Sequence, residues 1–205
     1  MKLNWVETLI MNNPVRAYMQ RHREAPGLAA LAPRSLEGAD ALVAGCGRGV
    51  DVEIAFERFR VARATAIDLD EHQIARARAR LGGFWGERLR LEVGDVSSMP
   101  FPDACFDLVL DFGIIHHVPM WQDAIGEIHR VLRPGGLFLF EEIPRSVLES
   151  TLARVFTRHP VGNRFDEGGF RAVCENRGLE IGDRFESFRT LGFFDSFRGA
   201  ALKPR

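Results

Sequence analysis

The feature that most constrains the fold is a regular alternation of short apolar runs and amphipathic helical patterns between residues 39 and 142. Short apolar runs bounded by turn residues are typical of buried strands, and crossover helices are the usual connection between parallel strands. This order predicts an α/β fold with a doubly wound, mainly parallel sheet that helices cover on both faces. The predicted strands are Ala39–Ala44, Ala64–Ile67, Leu89–Val93, Phe106–Phe112 and Leu137–Phe140.

Helical patterns fill the intervals between these strands. The clearest start signal is at Asp70, a predicted N-cap with Gln73 three positions later, which is a capping-box arrangement. Pro119 is predicted to begin another helix, which Pro134-Gly135-Gly136 ends. The remaining helices are predicted at 51–59 and about 166–177, followed by an antiparallel pair of strands near 179–189 and 193–202.

The N-terminal segment is predicted to be helical, because its apolar residues recur at helical spacing. Breaks are expected at Pro14, Pro26-Gly27 and Pro33. No internal repeat or linker interrupts the chain, and its length of 205 residues suits one α/β domain with a substantial core. We therefore expect a single domain over residues 1–205, with a helical cap at residues 1–36 and a core at 39–142.

Charge and cysteine content argue against several other classes of protein. The formal net charge is −1, so there is no overall electrostatic attraction to nucleic acid or anionic membranes. The three cysteines, Cys46, Cys105 and Cys174, show neither a CxxC pair nor metal-ligand spacing, so we expect no disulfide framework and no metal site. The first residues lack the apolar core of a signal peptide, and no run is long enough to span a bilayer. We expect a cytoplasmic protein without integral membrane association.

In an open parallel sheet, ligands bind beyond the carboxyl ends of the strands. The first predicted strand ends there in the turn Gly45-Cys46-Gly47-Arg48-Gly49. Glycines let the backbone turn sharply and approach a ligand without a Cβ in the way. Position 50 is Val, so the GxGxxG pattern of dinucleotide-binding proteins is not met.

Two carboxylates follow at the ends of the next two strands. Asp68 ends the second strand, where it can accept hydrogen bonds from both hydroxyls of a ribose, and Leu69 beside it can cover an adenine face. Asp95 follows the third strand, where it can accept a hydrogen bond from an adenine amino group. Three consecutive strand ends therefore predict a site for an adenosine-containing ligand.

Four segments of the chain together resemble the class I S-adenosylmethionine-dependent methyltransferases of the small-molecule type. They are ALVAGCGRGVD, AIDLDEHQIARARARL, EVGDVSSMPFPDACFDLVLDFGIIHHV and EIHRVLRPGGLFLFEE, in that order over roughly residues 39–142. The resemblance implies a Rossmann-like, seven-stranded sheet whose last strand is antiparallel. It also implies S-adenosylmethionine as cofactor, S-adenosylhomocysteine as product, and a small-molecule acceptor that the sequence does not identify.

The resemblance also implies roles for individual residues. The glycine turn, with Gly45, Cys46, Gly47 and Gly49, would line the methionine and ribose parts of the cofactor. Asp68 with Leu69 would bind the ribose side, and Asp95 with the backbone at Val96 would bind the adenine. The backbone at Asp111 and Phe112 would approach the methionine amino group.

One position departs from the family pattern. The family usually has an acidic residue two positions before the first glycine, where this chain has Val43. That acid helps to hold the ammonium group of the cofactor. Our hypothesis at this stage is that Asp111 supplies the missing charge.

A general base is needed if the acceptor is a hydroxyl, a thiol or a protonated amine. His116 and His117 follow the fourth strand, and histidine is the residue type best suited to proton transfer near neutral pH. Glu141 and Glu142 are the other candidates. In this fold the acceptor is usually covered by the N-terminal helices and by a segment that here corresponds to residues 144–165. The aromatic residues Trp5, Tyr18 and Phe156 in these covers suggest an apolar acceptor.

Three alternative functions remain open from the sequence. A nucleic-acid methyltransferase is disfavoured by the near-neutral charge, and because GIIHHV stands where a proline-proline-aromatic element is expected. A non-catalytic protein that binds S-adenosylmethionine or S-adenosylhomocysteine is favoured only by Val43. A nicotinamide-dependent oxidoreductase is disfavoured by the sequence GCGRGV.

Overall fold

The computed structural model describes residues 13–83, 86–149, 162–190 and 194–205, which form a seven-stranded sheet covered by helices. Its spatial order is β3-β2-β1-β4-β5-β7-β6. The first five strands are parallel, and β7 is antiparallel to both of its neighbours. The predicted fold class is therefore confirmed. The strands are β1 (Asp40–Ala44), β2 (Arg63–Asp68), β3 (Leu89–Val93), β4 (Phe106–Asp111), β5 (Leu132–Glu142), β6 (Phe185–Thr190) and β7 (Phe194–Leu202).

The helices lie in two layers because successive residues of a strand point to opposite faces of the sheet. The helices are α1 (Pro14–Met19), α2 (Ala25–Leu31), α3 (Val50–Glu57), α4 (Glu71–Leu81), α5 (Trp121–Val131), α6 (Arg145–Leu148) and α7 (Glu167–Asn176). Val43 and Leu110 pack on the face that α2, α3 and α4 cover, whereas Leu42 and Val109 pack on the face of α5 and α7. A π-helical turn covers Gln20–Glu24, and 3₁₀ turns cover Gly86–Arg88 and Ile115–His117. Within the described ranges, each helix is too short or too polar to traverse a bilayer.

The N-terminal helical segment differs from the prediction at Pro26. The structure agrees with the boundary predicted at Pro14, because α1 begins at this proline and the Asn13 side chain caps it by accepting the Arg16 N–H at 2.8 Å. Pro26 does not interrupt the helical path, because the wider π turn before it accommodates a residue that lacks an N–H. The predicted break at Pro33 is confirmed, since α2 ends at Leu31.

Three further boundaries differ from the prediction. β5 begins at Leu132 instead of Leu137, because Pro134-Gly135-Gly136 forms an irregularity inside the strand, where the register with β4 shifts. α5 begins at Trp121, two residues after Pro119. β6 begins at Phe185 because a turn at Gly182, with φ +56°, separates it from an isolated bridge at Glu180.

An aromatic cluster fills the core between β5, β7, α5 and α7. Phe170 lies at its centre and is fully buried. Its ring centroid is 4.9 Å from those of Phe140 and Phe165, 5.3 Å from that of Phe197 and 5.9 Å from that of Trp121. The aromatic residues Phe156 and Phe193, like the predicted helix around Trp5, lie outside the described residues.

Replacing Phe170 with alanine should lower the free energy of unfolding by about 3–5 kcal/mol, because it removes a buried ring and leaves a cavity. The control is Val15→Ala on α1, whose side chain is 68% exposed and whose change should stay within about 0.5 kcal/mol. Urea unfolding followed by circular dichroism measures both. Equal losses in the two variants would contradict the central position of Phe170.

Candidate functional site

A cavity of about 330 Å³ opens at the carboxyl ends of β1, β2, β3 and β4, where the sequence predicted a ligand site. Three of the predicted site residues, Gly49, Asp111 and His116, are not part of its wall. The predicted residues that line it are Gly45, Cys46, Gly47, Asp68, Leu69, Asp95, Val96, Phe112 and His117.

The glycine turn after β1 has a backbone that side chains would disturb. Gly45 and Gly47 have φ +67° and +50°, in the left-handed region that favours glycine. A Cβ on Gly45 would lie 2.3 Å from Ile114 Cγ2, whereas a Cβ on Gly47 would meet no atom within 4 Å. The Cys46 N–H donates to the Ile67 carbonyl at 2.9 Å, which carries the β1–β2 ladder into the turn. Gly45 therefore permits close packing, and Gly47 leaves its backbone open to the cavity.

Gly49 allows two helices to pack closely and does not line the cavity. Its φ is +92°, and a Cβ there would lie 2.8 Å from Leu81 Cδ1 at the end of α4. Glycine at this position lets α3 begin close to α4.

Asp68 connects the end of β2 to the glycine turn. Its Oδ2 accepts the Gly47 N–H and its Oδ1 accepts the Asp70 N–H, both at 2.9 Å. Burial raises the pKa of this carboxyl, and the two backbone hydrogen bonds oppose that rise. Each oxygen keeps a second acceptor position. The carboxylate is therefore fixed in place and still able to accept two ligand hydroxyls.

Asp95 caps its own turn as well as lining the cavity. Its Oδ1 accepts hydrogen bonds from the Ser97 N–H at 2.8 Å and from the Ser97 hydroxyl at 2.6 Å. Leu69 and Val96 add apolar surface to the same part of the wall. A polar acceptor beside two apolar side chains suits a flat, heteroaromatic ring with an amino group.

Asp111 lies behind the cavity wall. It is fully buried, and its Oδ1 accepts the N–H groups of Gly113 at 3.0 Å and Ile114 at 2.9 Å. Burial, together with the neighbouring Glu142 carboxyl, raises the pKa of Asp111 well above its usual value. The hypothesis that the Asp111 carboxylate supplies a charge to the ligand therefore needs correction, because that carboxylate is used to fix the turn after β4.

The two histidines occupy different positions. His117 lines the cavity, whereas His116 lies in a narrow hollow beside Trp121 and Phe165. His116 Nδ1 is 2.5 Å from Glu142 Oε2, and the other oxygen of Glu142 accepts the Ile115 N–H at 2.6 Å. Burial raises the pKa of Glu142 to about 7.

Glu141, the other carboxyl candidate, lies away from this cavity wall and faces the N-terminal helix. Burial and the nearby Glu24 raise its pKa to about 8, while Arg198, whose Nη1 is 3.6 Å from it, acts in the opposite direction.

The sequence interpretation missed several residues of the cavity wall. Arg48 and Asp51 lie inside and just after the glycine turn, so their charges were a usable signal. Gln20 reaches the cavity from the π turn, and no local pattern marks it. Ser97 and Met120 are two further residues of the wall that the sequence interpretation did not name.

Comparison with known proteins gives the family. Residues 42–140 match the family model described as a methyltransferase domain. A Mycolicibacterium smegmatis protein named "Probable S-adenosylmethionine-dependent methyltransferase" is 38% identical over 82% of this chain. The fatty-acid O-methyltransferase of the same organism is 36% identical over 54% of the chain. The chain spans 60% and 39% of the lengths of these two relatives.

A solved S-adenosylmethionine-dependent methyltransferase from Mesorhizobium loti has the same fold. Comparison of the two structures gives a TM-score of 0.71 at 20% sequence identity, and the match covers 86% of this chain and 96% of the Mesorhizobium loti chain. The chain thus carries a methyltransferase domain over residues 42–140 and is related to S-adenosylmethionine-dependent methyltransferases, for which S-adenosylmethionine is the cofactor. The cavity suits this cofactor, because the open backbone at Gly47 and the Asp68 and Asp95 carboxylates match the polar groups of an adenosine.

Gly45→Ala should destabilise the protein more than Gly38→Ala. Both positions have positive φ, but a Cβ at Gly38 meets no atom within 4 Å, whereas one at Gly45 overlaps Ile114. Each variant should lose about 1–2 kcal/mol from backbone strain, and Gly45→Ala should lose a further 1–3 kcal/mol from overpacking. Urea unfolding of both variants measures the difference. Equal losses would mean that Ile114 can move away at no cost.

Proposed function

We propose that this protein transfers a methyl group from S-adenosylmethionine to a small, apolar acceptor. One observation carries this proposal: three consecutive strand ends bring the glycine turn, Asp68 and Asp95 to one cavity within the matched methyltransferase domain. The activated methyl group comes from the sulfonium of the bound cofactor. The protein then has chiefly to orient the acceptor, and positioning of this kind can lower a barrier by about 7–11 kcal/mol.

In this proposal each part of the cavity binds a different part of the cofactor. The Asp68 carboxylate accepts the ribose hydroxyls, and Asp95 with the backbone at Val96 binds the adenine between Leu69 and the opposite wall. The glycine turn, with Gly45, Cys46 and Gly47, lies along the ribose and methionine portion. The backbone of Phe112 and Gly113 borders the same portion from β4.

His117 is the candidate general base, because it lines the cavity. His116 is a positioning residue: its ring centroid lies 4.2 Å from that of His117, and Glu142 holds its Nδ1. With Nδ1–H donating to Glu142, the ring of His116 is fixed beside His117. The pair therefore supports proton removal from an acceptor hydroxyl in the cavity.

The wall beside His117 supports an apolar acceptor. Ile114, Val118, Pro119 and Met120 line this part of the cavity, and Met120 is 57% exposed. One relative is named as a fatty-acid O-methyltransferase, which is consistent with an acceptor of this kind. Tyr18 gives no support, since it is exposed and lies against His22. Residues 1–36 and 144–165 remain the proposed cover of the acceptor.

Calorimetry should show that the protein binds S-adenosylmethionine and S-adenosylhomocysteine, and that Asp68→Asn weakens both by about 10- to 100-fold. This loss corresponds to removing a charge-assisted hydrogen bond. Asp183→Asn is the control, because Asp183 is exposed and outside the cavity. No heat with either ligand, together with binding of some other nucleotide, would refute the proposal.

A methyl-transfer assay with radiolabelled cofactor tests the acceptor and the base together. The acceptor panel pairs a long-chain fatty acid, a sterol and a hydrophobic phenol with short polar analogues and a nucleic acid. We expect transfer to an apolar member. If that acceptor is a hydroxyl, kcat should be about 10²- to 10⁴-fold lower in His117→Asn, with unchanged affinity for S-adenosylhomocysteine. His72→Asn on α4, which is exposed, should behave as wild type. Uniform preference for polar acceptors or for nucleic acid would contradict the proposed acceptor class, and turnover with any acceptor would exclude a purely ligand-binding role.

A further inference from the structure

Two ionisable side chains on the cavity wall, Asp51 and Arg48, have no partner of opposite charge in contact among the described residues. There, no lysine or arginine nitrogen lies within 4 Å of the Asp51 carboxylate, and no carboxylate lies within 4 Å of the Arg48 guanidinium. The two residues are three positions apart, at the point where the glycine turn becomes α3. Asp51 is buried and Arg48 is half-buried. A buried carboxylate is normally paired, so a wall that presents it beside a guanidinium suggests a ligand that carries charges of both signs.

Asp51 is the buried member of the pair. Its side chain is only 6% exposed, and its Oδ1 accepts the Gln20 side-chain N–H at 2.6 Å. Burial raises the pKa of this carboxyl well above its usual value. The positive charge of Arg16 acts to lower it, and the negative charge of Glu24 adds to the rise. A cationic group in the cavity would stabilise the ionised form of Asp51.

Arg48 is the counterpart on the other side of the turn. Its Nη2 donates to the Asn13 carbonyl at 3.2 Å, and its Nε is buried without a hydrogen-bond partner within the described residues. Burial, together with the nearby Arg80, lowers the pKa of Arg48. An anionic group in the cavity would therefore find a guanidinium with donor capacity to spare.

We propose that Asp51 and Arg48 bind the amino-acid end of the cofactor, Asp51 taking the α-ammonium group and Arg48 the α-carboxylate. This inference rests on the proposed function, because it concerns the same cavity. It also accounts for Val43, which occupies the position of the family's acidic residue and is fully buried. In this chain the negative charge has moved from the end of β1 to the first turn of α3.

Gln20 is a positioning residue for Asp51. It lines the cavity from the π turn of the N-terminal helix, and its amide fixes the orientation of the carboxylate. The competing explanation is that Asp51 only stabilises the start of α3 through the helix dipole. That explanation predicts no change in how the protein distinguishes ligands that differ at the amino-acid end.

The test is calorimetry with three neutral thioethers that differ only in that end. S-adenosylhomocysteine carries both charged groups, its decarboxylated form lacks the carboxylate, and 5′-methylthioadenosine lacks the whole amino-acid portion. Asp51→Asn should weaken the first two by at least about 10-fold and leave 5′-methylthioadenosine unchanged. Arg48→Gln should weaken only S-adenosylhomocysteine, by a similar factor. Glu57→Gln, at the last residue of α3 and outside the cavity, is the matched control.

Several results would overturn this assignment. Equal weakening of all three ligands would indicate a structural role, and unchanged binding of S-adenosylhomocysteine in both variants would leave these residues without a role in binding. If Asp51→Asn does not fold, Gln20→Leu provides the test, with a several-fold loss expected for S-adenosylhomocysteine and none for 5′-methylthioadenosine. Failure of the wild-type protein to bind any of the three would refute the proposed function itself. Tight binding of all three with variants that match wild type would refute this inference alone.

Discussion

The parallel pairing of β1 with β2 and β4 is the constraint on which the site depends. Ala44, the last residue of β1, is paired with Ile67 on one side and with Asp111 on the other. The three strands therefore end at the same level, and the turns that follow them emerge side by side. A slip of one residue would turn every side chain of a strand to the opposite face, so the buried alternation of the core holds this register. Hydrogen bonds from the Cys46 and Gly47 amides then extend it into the glycine turn.

The sequence predicted well what depends on neighbouring residues. Short apolar runs identified the five parallel strands, and the type of residue at each strand end placed Asp68 and Asp95 at the cavity. It did not predict features that arise when distant segments pack together. Gln20 reaches the cavity because the N-terminal helix packs against the start of α3, and the pKa of Asp111 is raised by burial and by the nearby Glu142 of β5. Two prolines are similar cases, because local rules treat each of them as a break. A π turn lets the helical path continue through Pro26, and an irregularity in β5 lets that strand include Pro134.

The carboxyl ends of β4 and β5 concentrate buried acids that do not all serve the same purpose. Asp111 and Glu142 face each other, and both have raised pKa values because burial penalises their charged forms. Their oxygens accept backbone N–H groups from the turn that carries the two histidines. This arrangement makes the turn rigid and orients His116, while His117 remains at the cavity. Burying these acids costs stability, which is a familiar feature of functional sites.

The position of Cys46 has a consequence for the selectivity of methyl transfer. A thiol at the centre of the glycine turn lies beside the proposed methyl donor, and sulfur is a strong nucleophile in its thiolate form. Burial, reinforced by the negative charges of Asp68 and Asp51, raises the pKa of Cys46 well above its usual value. The sulfur therefore stays protonated at physiological pH. Burial is thus the main reason why this thiol is a poor nucleophile beside the donor, and the acids that suit the cavity to a cationic cofactor reinforce it.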